Sequence, residues 1–477
     1  MMKFPVIKNF RFISSRMMQM ALPIAVSGLI MQVQVLIDTA FLARYSTTLP
    51  DGSFLSGTEI LSAVGNVFFP YIVTLSFLWS ITTGIVILVS QQLGANRPNQ
   101  ARSYAFSALK FNAIISWLFY GFWFLFGEQV FQLLGVRQPI LSISIEYLRF
   151  ISLEFLYLGI LNSVGAVFQG MGNTRPEMFT GIIRSLLHIF LDYILIFGSF
   201  GFPEMGVMGA GLASSISGLT ACIILVTILF KTKNTAFVID IKSILSAPFS
   251  DYLVVLKKGL PVGLEDMLWN LGNLTLAYFL NLINIEAVGI YRLVYQIEVT
   301  PVYFYIGLAR AVTTMVGNKT GERDLPAARR VGLTGSIYTV GFCLLFTSSF
   351  LIFPRQIISI FTGDGDLVQK SIPLLMMTAV TMIPRSINII SGHGIRGYGD
   401  TMWMLVTQIF GIVFVITLSY FLMFPAGFGM LGLFMGMFVD ELLRGSINTV
   451  RFYIGENSPF HKANILPISV DIKGIEV

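Results

Sequence analysis

Twelve apolar runs, each long enough to cross a lipid bilayer as an α-helix, follow one another along almost the whole 477-residue chain. They cover approximately residues 17–43, 59–93, 101–127, 143–169, 175–199, 206–230, 253–281, 286–316, 328–352, 368–395, 401–424 and 430–454. A membrane helix needs about 20 apolar residues, and these runs lack the alternation of barrel strands. Only 12% of the residues are charged, about half the share in soluble domains. We therefore expect an all-α membrane protein with twelve transmembrane helices.

No hydrophilic interval between these runs is long enough to form a soluble domain. This excludes a soluble enzyme domain, a nucleotide-binding cassette and a large receptor ectodomain. The chain has no Gly-x4-Gly-Lys-Ser/Thr loop, so we do not expect it to use ATP by itself. Its three histidines, His188, His393 and His461, are too scattered in sequence to predict a metal cluster. We expect neither an enzyme nor a resident cofactor.

The basic residues are distributed unequally between the two sides of the predicted membrane. With both termini placed inside, 20 of the 31 Lys and Arg fall in the termini, in the loops after even-numbered spans or at the span ends beside those loops, and four fall in or beside the opposite loops. This positive-inside pattern predicts a multi-pass protein of the cytoplasmic (inner) membrane with both termini in the cytoplasm. The net charge of +6 therefore reflects topology, and we expect a lipid bilayer and no nucleic acid as partner.

Short motifs recur in the same order, and at nearly constant separation, in the two halves of the chain. The pairs are Leu22-Pro23 with Leu260-Pro261, residues 89–102 with 316–329, 168–174 with 395–401, and 206–209 with 429–432. Each half holds six spans, an even number, so both halves enter the membrane from the same side. Parallel repeats of this kind enclose a central cavity and are typical of secondary transporters.

The predicted fold is thus two six-helix parallel repeats (6+6) around a central cavity. We expect an N-terminal half at residues 1–232, a cytoplasmic linker at 233–252, a C-terminal half at 253–455 and a cytoplasmic tail at 456–477. The linker is the longest polar interval between two spans, which makes it the natural boundary between the halves.

An ionisable residue inside a span is costly unless it is paired or hydrated, so each is a candidate functional residue. Asp38 lies in the first span, and Gln34 precedes it by one turn on the same face. This pair predicts a buried polar site. The alternative is that Asp38 snorkels to the outer surface, because Arg44 follows six residues later.

The fifth span carries Arg184, His188 and Asp192 at intervals of four residues, which places all three on one helix face. Such a face is unfavourable toward lipid, and it predicts a proton-exchanging site. Arg184 and Asp192 lie about 12 Å apart along the helix, so they cannot pair directly. The alternative is a structural polar network in which His188 is only a spacer.

Several motifs together resemble the multidrug and toxic compound extrusion (MATE) family over essentially the whole chain. They are Ala21-Leu-Pro-Ile, Ile37-Asp-Thr-Ala-Phe-Leu, Gln92-Leu-Gly-Ala, Gln169-Gly-Met-Gly-Asn-Thr-Arg, Leu191-Asp-Tyr-Ile, Pro203-Glu-Met-Gly and Arg396-Gly-Tyr-Gly-Asp-Thr. The resemblance implies an antiporter that exports organic, commonly cationic, compounds against an inward flow of H⁺ or Na⁺. The wider superfamily, which includes lipid-linked sugar flippases, shares this architecture.

The resemblance also implies a coupling site in the first half. DinF-type members keep an acid in the first span, an Asn and an Asp one turn apart in the fifth, and a hydroxyl residue in the sixth. Asp38, Asp192 and Ser214 match these positions, whereas His188 stands where the Asn is expected. Imidazole is a poor ligand for a hard cation but is well suited to proton exchange, so the substitution favours H⁺ over Na⁺.

NorM-type members instead carry acids in the seventh and tenth spans, where this sequence has Trp269 and Arg385. Glu265 precedes Trp269 by one turn, so a contact of Glu265 or Asp266 with Arg385 is the predicted second-half site. The alternative is that the two acids belong to a solvated turn near the cytoplasmic end. The residues that we expect in the substrate cavity are Gln34, Trp269 and Asn270.

The sequence and the resemblance together predict a monomeric antiporter for small organic, cationic and lipophilic compounds. Its coupling ion is H⁺ or Na⁺, and Asp38 and Asp192 are the residues at which Na⁺ would bind. The alternative is a flippase for a lipid-linked or amphipathic substrate, which would favour a cationic cavity built from Arg184, Arg292 and Arg385. The charged residues that we expect to be structural are Glu154, Arg292, Glu298, Asp440, Glu441 and Arg444.

Overall fold

A computed structural model describes residues 10–48, 54–232, 240–283 and 285–454, and these residues are almost entirely helical. The described α-helices are α1 (Phe10–Arg44), α2 (Gly57–Gly94), α3 (Pro98–Leu133), α4 (Ile140–Ile151), α5 (Phe155–Gly170), α6 (Arg175–Phe197), α7 (Gly206–Lys231), α8 (Ile241–Leu245), α9 (Phe249–Ile283), α10 (Ile285–Gly321), α11 (Leu325–Ile352), α12 (Pro354–Ser359), α13 (Gly365–Gly397), α14 (Thr401–Met423) and α15 (Gly429–Ile454). Strands β1 (Thr47–Thr48) and β2 (Phe54–Leu55) pair antiparallel in the loop after α1.

Ten helical segments among the described residues are long and apolar enough to cross a membrane. They are α1, the part of α2 from Pro70, α3, the joined α4 and α5, α6, α7, the part of α10 from Glu286, α11, α13 and α14. The two other long helices, α9 and α15, are formed as predicted but are not among these ten segments. The all-α fold is thus confirmed, while the twelve-span 6+6 arrangement stays a prediction.

Three local features were not predicted from the apolar runs. A 3-10 turn at Ser152–Glu154 separates α4 from α5 within the fourth run and leaves Glu154 buried. The short helix α8 lies within the predicted linker, of which residues 233–239 fall outside the described chain, as does the predicted tail. The short helix α12 precedes α13. A run of apolar residues does not reveal such breaks, because its side chains are buried whether or not the helix is interrupted.

Small residues allow the helices of the two predicted halves to approach closely. A β-carbon on Gly307 of α10 would lie 2.6 Å from the backbone oxygen of Ala21 in α1. Likewise, a β-carbon on Gly259 of α9 would lie 2.8 Å from the backbone oxygen of Ser80 in α2. In the register of the sequence repeat, Ala21 corresponds to Gly259 and Ser80 corresponds to Gly307, so the two contacts are equivalent. The interface is therefore formed by α1 and α2 against α9 and α10.

Candidate functional site

Helix α6 brings its polar face to the centre of a three-helix contact with α1 and α7. Gly181 lets Ser27 of α1 approach α6, and Gly209 lets α7 approach to within 2.7 Å of the Leu195 backbone, measured from an added β-carbon. A larger side chain at either glycine would hold the neighbouring helix away. The polar residues of α1 and α7 therefore meet those of α6 inside the protein.

The five polar residues predicted in the first half form one cluster around the imidazole of His188. His188 Nε2 lies 3.2 Å from Asp192 Oδ2, 3.7 Å from Asp38 Oδ2 and 3.5 Å from Ser214 Oγ. Gln34 Nε2 lies 2.5 Å from His188 Nδ1 and donates to Asp38 Oδ2 at 3.4 Å. Three helices thus contribute to a single site, and Asp38 faces this site while 22% of its side chain remains exposed.

The hydrogen bonds define a chemically reasonable arrangement for the neutral imidazole. With the Gln34 amide nitrogen as donor, His188 Nδ1 accepts, and the ring proton lies on Nε2 between the two carboxylates. Asp192 is fully buried, and neither of its oxygens has a hydrogen-bond partner of good geometry among the described residues. Two ionised carboxylates held together in a dry interior are strongly unfavourable, so this cluster favours uptake of a proton or another cation.

The donor set can be compared with the needs of the two coupling ions. One ligand atom each from Asp38, His188 and Asp192 lies within 4.8 Å of the others, close enough for a single ion. Na⁺ prefers several oxygen ligands, whereas this site places an imidazole nitrogen at its centre. A proton requires only the exchangeable groups themselves, and these are present.

Arg184 lies on the same face of α6 as His188 but belongs to a different contact. Its Nη2 atom donates to Glu154 Oε1 at 2.7 Å. The 3-10 turn between α4 and α5 carries Glu154 to this position. Glu154, which we expected to be structural, is therefore the ion-pair partner of Arg184. This ion pair neutralises Arg184 without Asp192.

The predicted contact between Glu265 and Arg385 is not formed. Glu265 lies 2.7 Å from Arg396, whereas Arg385 pairs with Glu298 and, at 3.0 Å, with Glu441. Arg385 and Arg396 lie about three turns apart on α13, so the register of α9 against α13 decides which arginine meets Glu265. The second-half assignment from sequence was wrong in its partner.

The second half contains a buried ion-pair network that sequence reasoning identified only in part. Arg444 donates to Asp440 at 2.6 Å and lies 3.7 Å from Glu441. Arg444 also donates to Gln408 at 2.8 Å, and Asn388 donates to Glu441 at 2.8 Å. Asp440 and Arg444 are four residues apart, and this spacing could have indicated their ion pair from the sequence. No sequence pattern indicated that Gln408 and Asn388 would join the network.

A cavity beside this network occupies the place that corresponds to the first-half cluster. Its lining includes Trp269, Gln408 and Arg444. In the register of the repeat, lining residues Gly272, Leu276, Val415 and Met437 replace Gln34, Asp38, His188 and Ser214, and Ser419, which is not in the lining, replaces Asp192. The second half has therefore no counterpart of the first-half cluster among the residues that line this cavity. The predicted cavity residues Trp269 and Asn270 are both exposed on α9.

Comparison with known protein families identifies the family to which this chain belongs. The MatE family model matches residues 23–194 and 261–421, which together make up more than half of the chain. This chain belongs to the MatE family. The two matched segments of this MatE protein begin at Pro23 and Pro261, which are themselves a repeated pair in the sequence.

Curated relatives agree in length with this MatE chain. It is 25% identical to the probable multidrug resistance protein NorM of Thermotoga maritima over 95% of its own length and 97% of that protein. It is 24% identical to the uncharacterized transporter YisQ of Bacillus subtilis over 86% of its own length and 87% of that protein. Together with the ten apolar helices, the family identifies a multi-pass membrane transporter.

Solved structures share the fold of this MatE protein. An outward-facing multidrug resistance MATE transporter of the MOP superfamily superposes with a TM-score of 0.84 at 19% identity, covering 93% of this chain and 96% of that one. A MOP superfamily transporter from Pyrococcus furiosus, described as having a binding pocket of reverse polarity, gives 0.83 at 17% identity, with coverages of 95% and 98%.

Proposed function

We propose that this protein is a secondary antiporter that exports organic, lipophilic cations in exchange for protons. The observation that carries the proposal is the meeting of Asp38, His188 and Asp192 in one buried cluster. A transporter can couple to H⁺ only through groups that change their charge, and these residues are such groups. The multidrug resistance names of the relatives support export of organic compounds.

In the proposed cycle, protons reach Asp38 and Asp192 from outside, and His188 shares them between the two carboxylates. Protonation removes the repulsion between the acids, which lets α1 move relative to α6 and favours release of the organic cation. Loss of the protons to the cytoplasm restores the charges and the original arrangement. The protons and the organic cation thereby move in opposite directions.

Proton coupling is preferred over Na⁺ coupling because of the central imidazole. Gln34 holds His188 through Nδ1, which leaves Nε2 to exchange a proton with Asp192 or Asp38. Ser214 and the two acids would offer Na⁺ only a few oxygens, with a nitrogen among them. The apolar counterpart of the cluster in the second half supports a single coupling site per chain.

The distribution of Lys and Arg supports insertion in the cytoplasmic membrane with both termini inside. In this orientation, the C-terminal ends of α2 and α10 lie at the cytoplasmic face, where the two predicted halves touch closely. The protein is proposed to act as a monomer, because its cavity is enclosed by helices of one chain.

A flippase for an amphipathic or lipid-linked substrate is the alternative. It would require a cationic cavity, yet Arg184 pairs with Glu154, and Arg385 lies between Glu298 and Glu441. Neutralisation of these two arginines weakens the argument for an anionic substrate. The reverse polarity reported for the Pyrococcus furiosus relative is a property of that protein.

The decisive experiment is efflux of ethidium from vesicles under an imposed pH gradient and, separately, under an imposed Na⁺ gradient. We expect efflux with the pH gradient and its loss in Asp192→Asn and Asp38→Asn. Asp366→Asn, which changes an exposed acid in the first turn of α13, is the matched control. Efflux that persists in both cluster variants would overturn proton coupling at this site, and efflux of no cation would favour the flippase.

A further inference from the structure

Helix α9 presents a polar face that is not part of the coupling cluster. Asp266, Trp269 and Asn270 are exposed and Asn273 is half-exposed, and at 3.6 residues per turn all four lie within an arc of about 100°. The exposed apolar residues on another side of the helix are Leu260, Leu264, Met267, Leu271 and Leu274. In a membrane protein, an exposed polar face must border water or a ligand rather than lipid.

The contacts of α9 identify what this polar face borders. A β-carbon on Gly263 would lie 2.5 Å from the Ser80 side chain of α2, and Gly259 also touches α2. Asp266 follows Gly259 by seven residues, so the two point in nearly the same direction. Asp266 therefore lies on the α2-facing side of α9, just beyond the point where the close contact ends, and faces the cleft between the halves.

The two halves differ beside Asp266 and its equivalent position. In the register of the repeat, Asp266 and Ser76 occupy the positions of Gly28 and Tyr303. At the α1–α10 contact, the Tyr303 ring covers Gly28, and its hydroxyl donates to Gln32 at 3.2 Å. At the α2–α9 contact, the small Ser76 stands at the position of the ring, and Asp266 is exposed.

Asp266 carries a charge that no neighbour is seen to pair with. Its carboxylate has no hydrogen bond or ion pair within the described part of the chain, while the adjacent Glu265 forms an ion pair with Arg396 at 2.7 Å. Arg396 is within electrostatic reach of both acids and Arg444 is within reach of Glu265, so Asp266 shares Arg396 with Glu265 and has no guanidinium of its own. The exposed indole of Trp269 lies one turn from the Asp266 carboxylate and also lines the cavity described above beside Arg444.

We propose that Asp266 and Trp269 form the subsite that binds the transported organic cation, with Asn270 and Asn273 as hydrogen-bonding neighbours. The carboxylate attracts the positive charge, and the indole face binds a cationic or flat aromatic group. This inference rests on the proposed function and adds to it the residues that hold the substrate. It also separates substrate binding, on α9, from proton exchange, in the α1–α6–α7 cluster, so the two do not compete for one carboxylate.

The test is the dissociation constant of ethidium for the purified full-length protein, measured by fluorescence anisotropy. In Asp266→Asn we expect it to rise about tenfold or more, because a partly desolvated charge pair is lost. Asp266→Glu should stay within about threefold of the wild type, and Trp269→Leu should weaken binding about threefold to tenfold. Asp366→Asn, at an exposed acid paired with Lys370, is the charge-matched control.

Each result decides a separate question. Ethidium binding by the wild type that is unchanged in Asp266→Asn overturns the subsite and leaves the proposed antiport intact. Weakened binding in Asp38→Asn or Asp192→Asn to the same extent as in Asp266→Asn overturns the separation of the two sites. Absence of binding by the wild type overturns both the substrate class and the subsite.

A second measurement covers the case in which Asp266→Asn does not fold. Asn270→Cys places a thiol on the polar face, while the two native cysteines, Cys222 and Cys343, are buried. We expect a cationic methanethiosulfonate to label this thiol and ethidium to slow the labelling about tenfold at saturation. An unreactive thiol, or labelling that ethidium does not slow, would overturn the subsite.

Discussion

Gly94 and Gly321 are equivalent residues of the two halves, and each abuts the backbone of the helix that carries the other. A β-carbon on Gly94 would overlap the backbone oxygen of Asn318, and one on Gly321 would overlap that of Gln91. Gln91 and Asn318 also correspond to each other in the repeat, so the two contacts are equivalent. Two equivalent contacts at one helix crossing are expected for repeats related by an approximate two-fold axis, and the close approach of α2 and α10 depends on these two glycines.

Gly94→Ala and Gly321→Ala should disfavour this closed crossing. The added methyl group must displace a backbone oxygen, and overpacking of this kind costs about 1–3 kcal/mol. We expect spin labels at Arg97 and Glu322 to show longer distances by pulsed electron paramagnetic resonance in either variant. Gly121→Ala is the control, because a β-carbon there meets nothing within 4 Å. An unchanged distance distribution in both variants would contradict this role for the crossing.

Na⁺ should not stabilise the protein specifically. Ligand at 100 times its dissociation constant adds about 2.7 kcal/mol to stability, which raises the unfolding temperature visibly. Because His188 occupies the centre of the cluster, we expect equal unfolding temperatures in NaCl and choline chloride at the same ionic strength. A rise seen only in NaCl, and lost in Asp192→Asn, would assign the cluster to Na⁺ instead.

His188→Gln should uncouple transport from the pH gradient while leaving substrate binding in place. Glutamine can keep a hydrogen bond to Gln34 but cannot exchange a proton, and loss of such a group typically lowers a rate by about 10²-fold or more. We expect ethidium efflux driven by the pH gradient to fall by this factor, with binding changed less than about threefold. Asp366→Asn, at an exposed acid paired with Lys370, is the control. Retention of most of the efflux would make His188 a spacer.

Arg385→Met should destabilise the second half. It leaves Glu298 and Glu441 buried without their shared guanidinium, and breaking a buried ion pair from one side costs about 3–5 kcal/mol. We expect a lower unfolding temperature in detergent, with part of the loss restored in Arg385→Met combined with Glu298→Gln. If the single variant unfolds like the wild type, the network does not stabilise this half.

The first-half cluster could be predicted because local spacing determines most of it. His188 and Asp192 are one turn apart on α6, and Gln34 and Asp38 are one turn apart on α1, so each pair shares a face regardless of the tertiary structure. The resemblance to a known family then indicated which faces meet. The predicted helices and the repeat were likewise visible in the sequence, because both depend on residue order alone.

The second-half partners could not be predicted from the same kind of pattern. Arg385 and Glu441 are far apart in sequence and lie on α13 and α15, so their contact depends on the rotation and register of two packed helices. Spacing identifies the face of each helix but not the residue opposite it. In the same way, the register of α9 against α13 determines that Glu265 pairs with Arg396 rather than with Arg385.

The polarity of α9 and α15 has a consequence for how the chain enters the bilayer during synthesis. Asp266, Asn270 and Asn273 on α9, and Asp440 and Glu441 on α15, make these segments poor candidates for insertion one at a time. The neutralising groups, such as Arg385 for Glu441, lie on other helices of the same half. We therefore expect α15 to enter the bilayer together with α13, whose Arg385 neutralises Glu441, rather than alone.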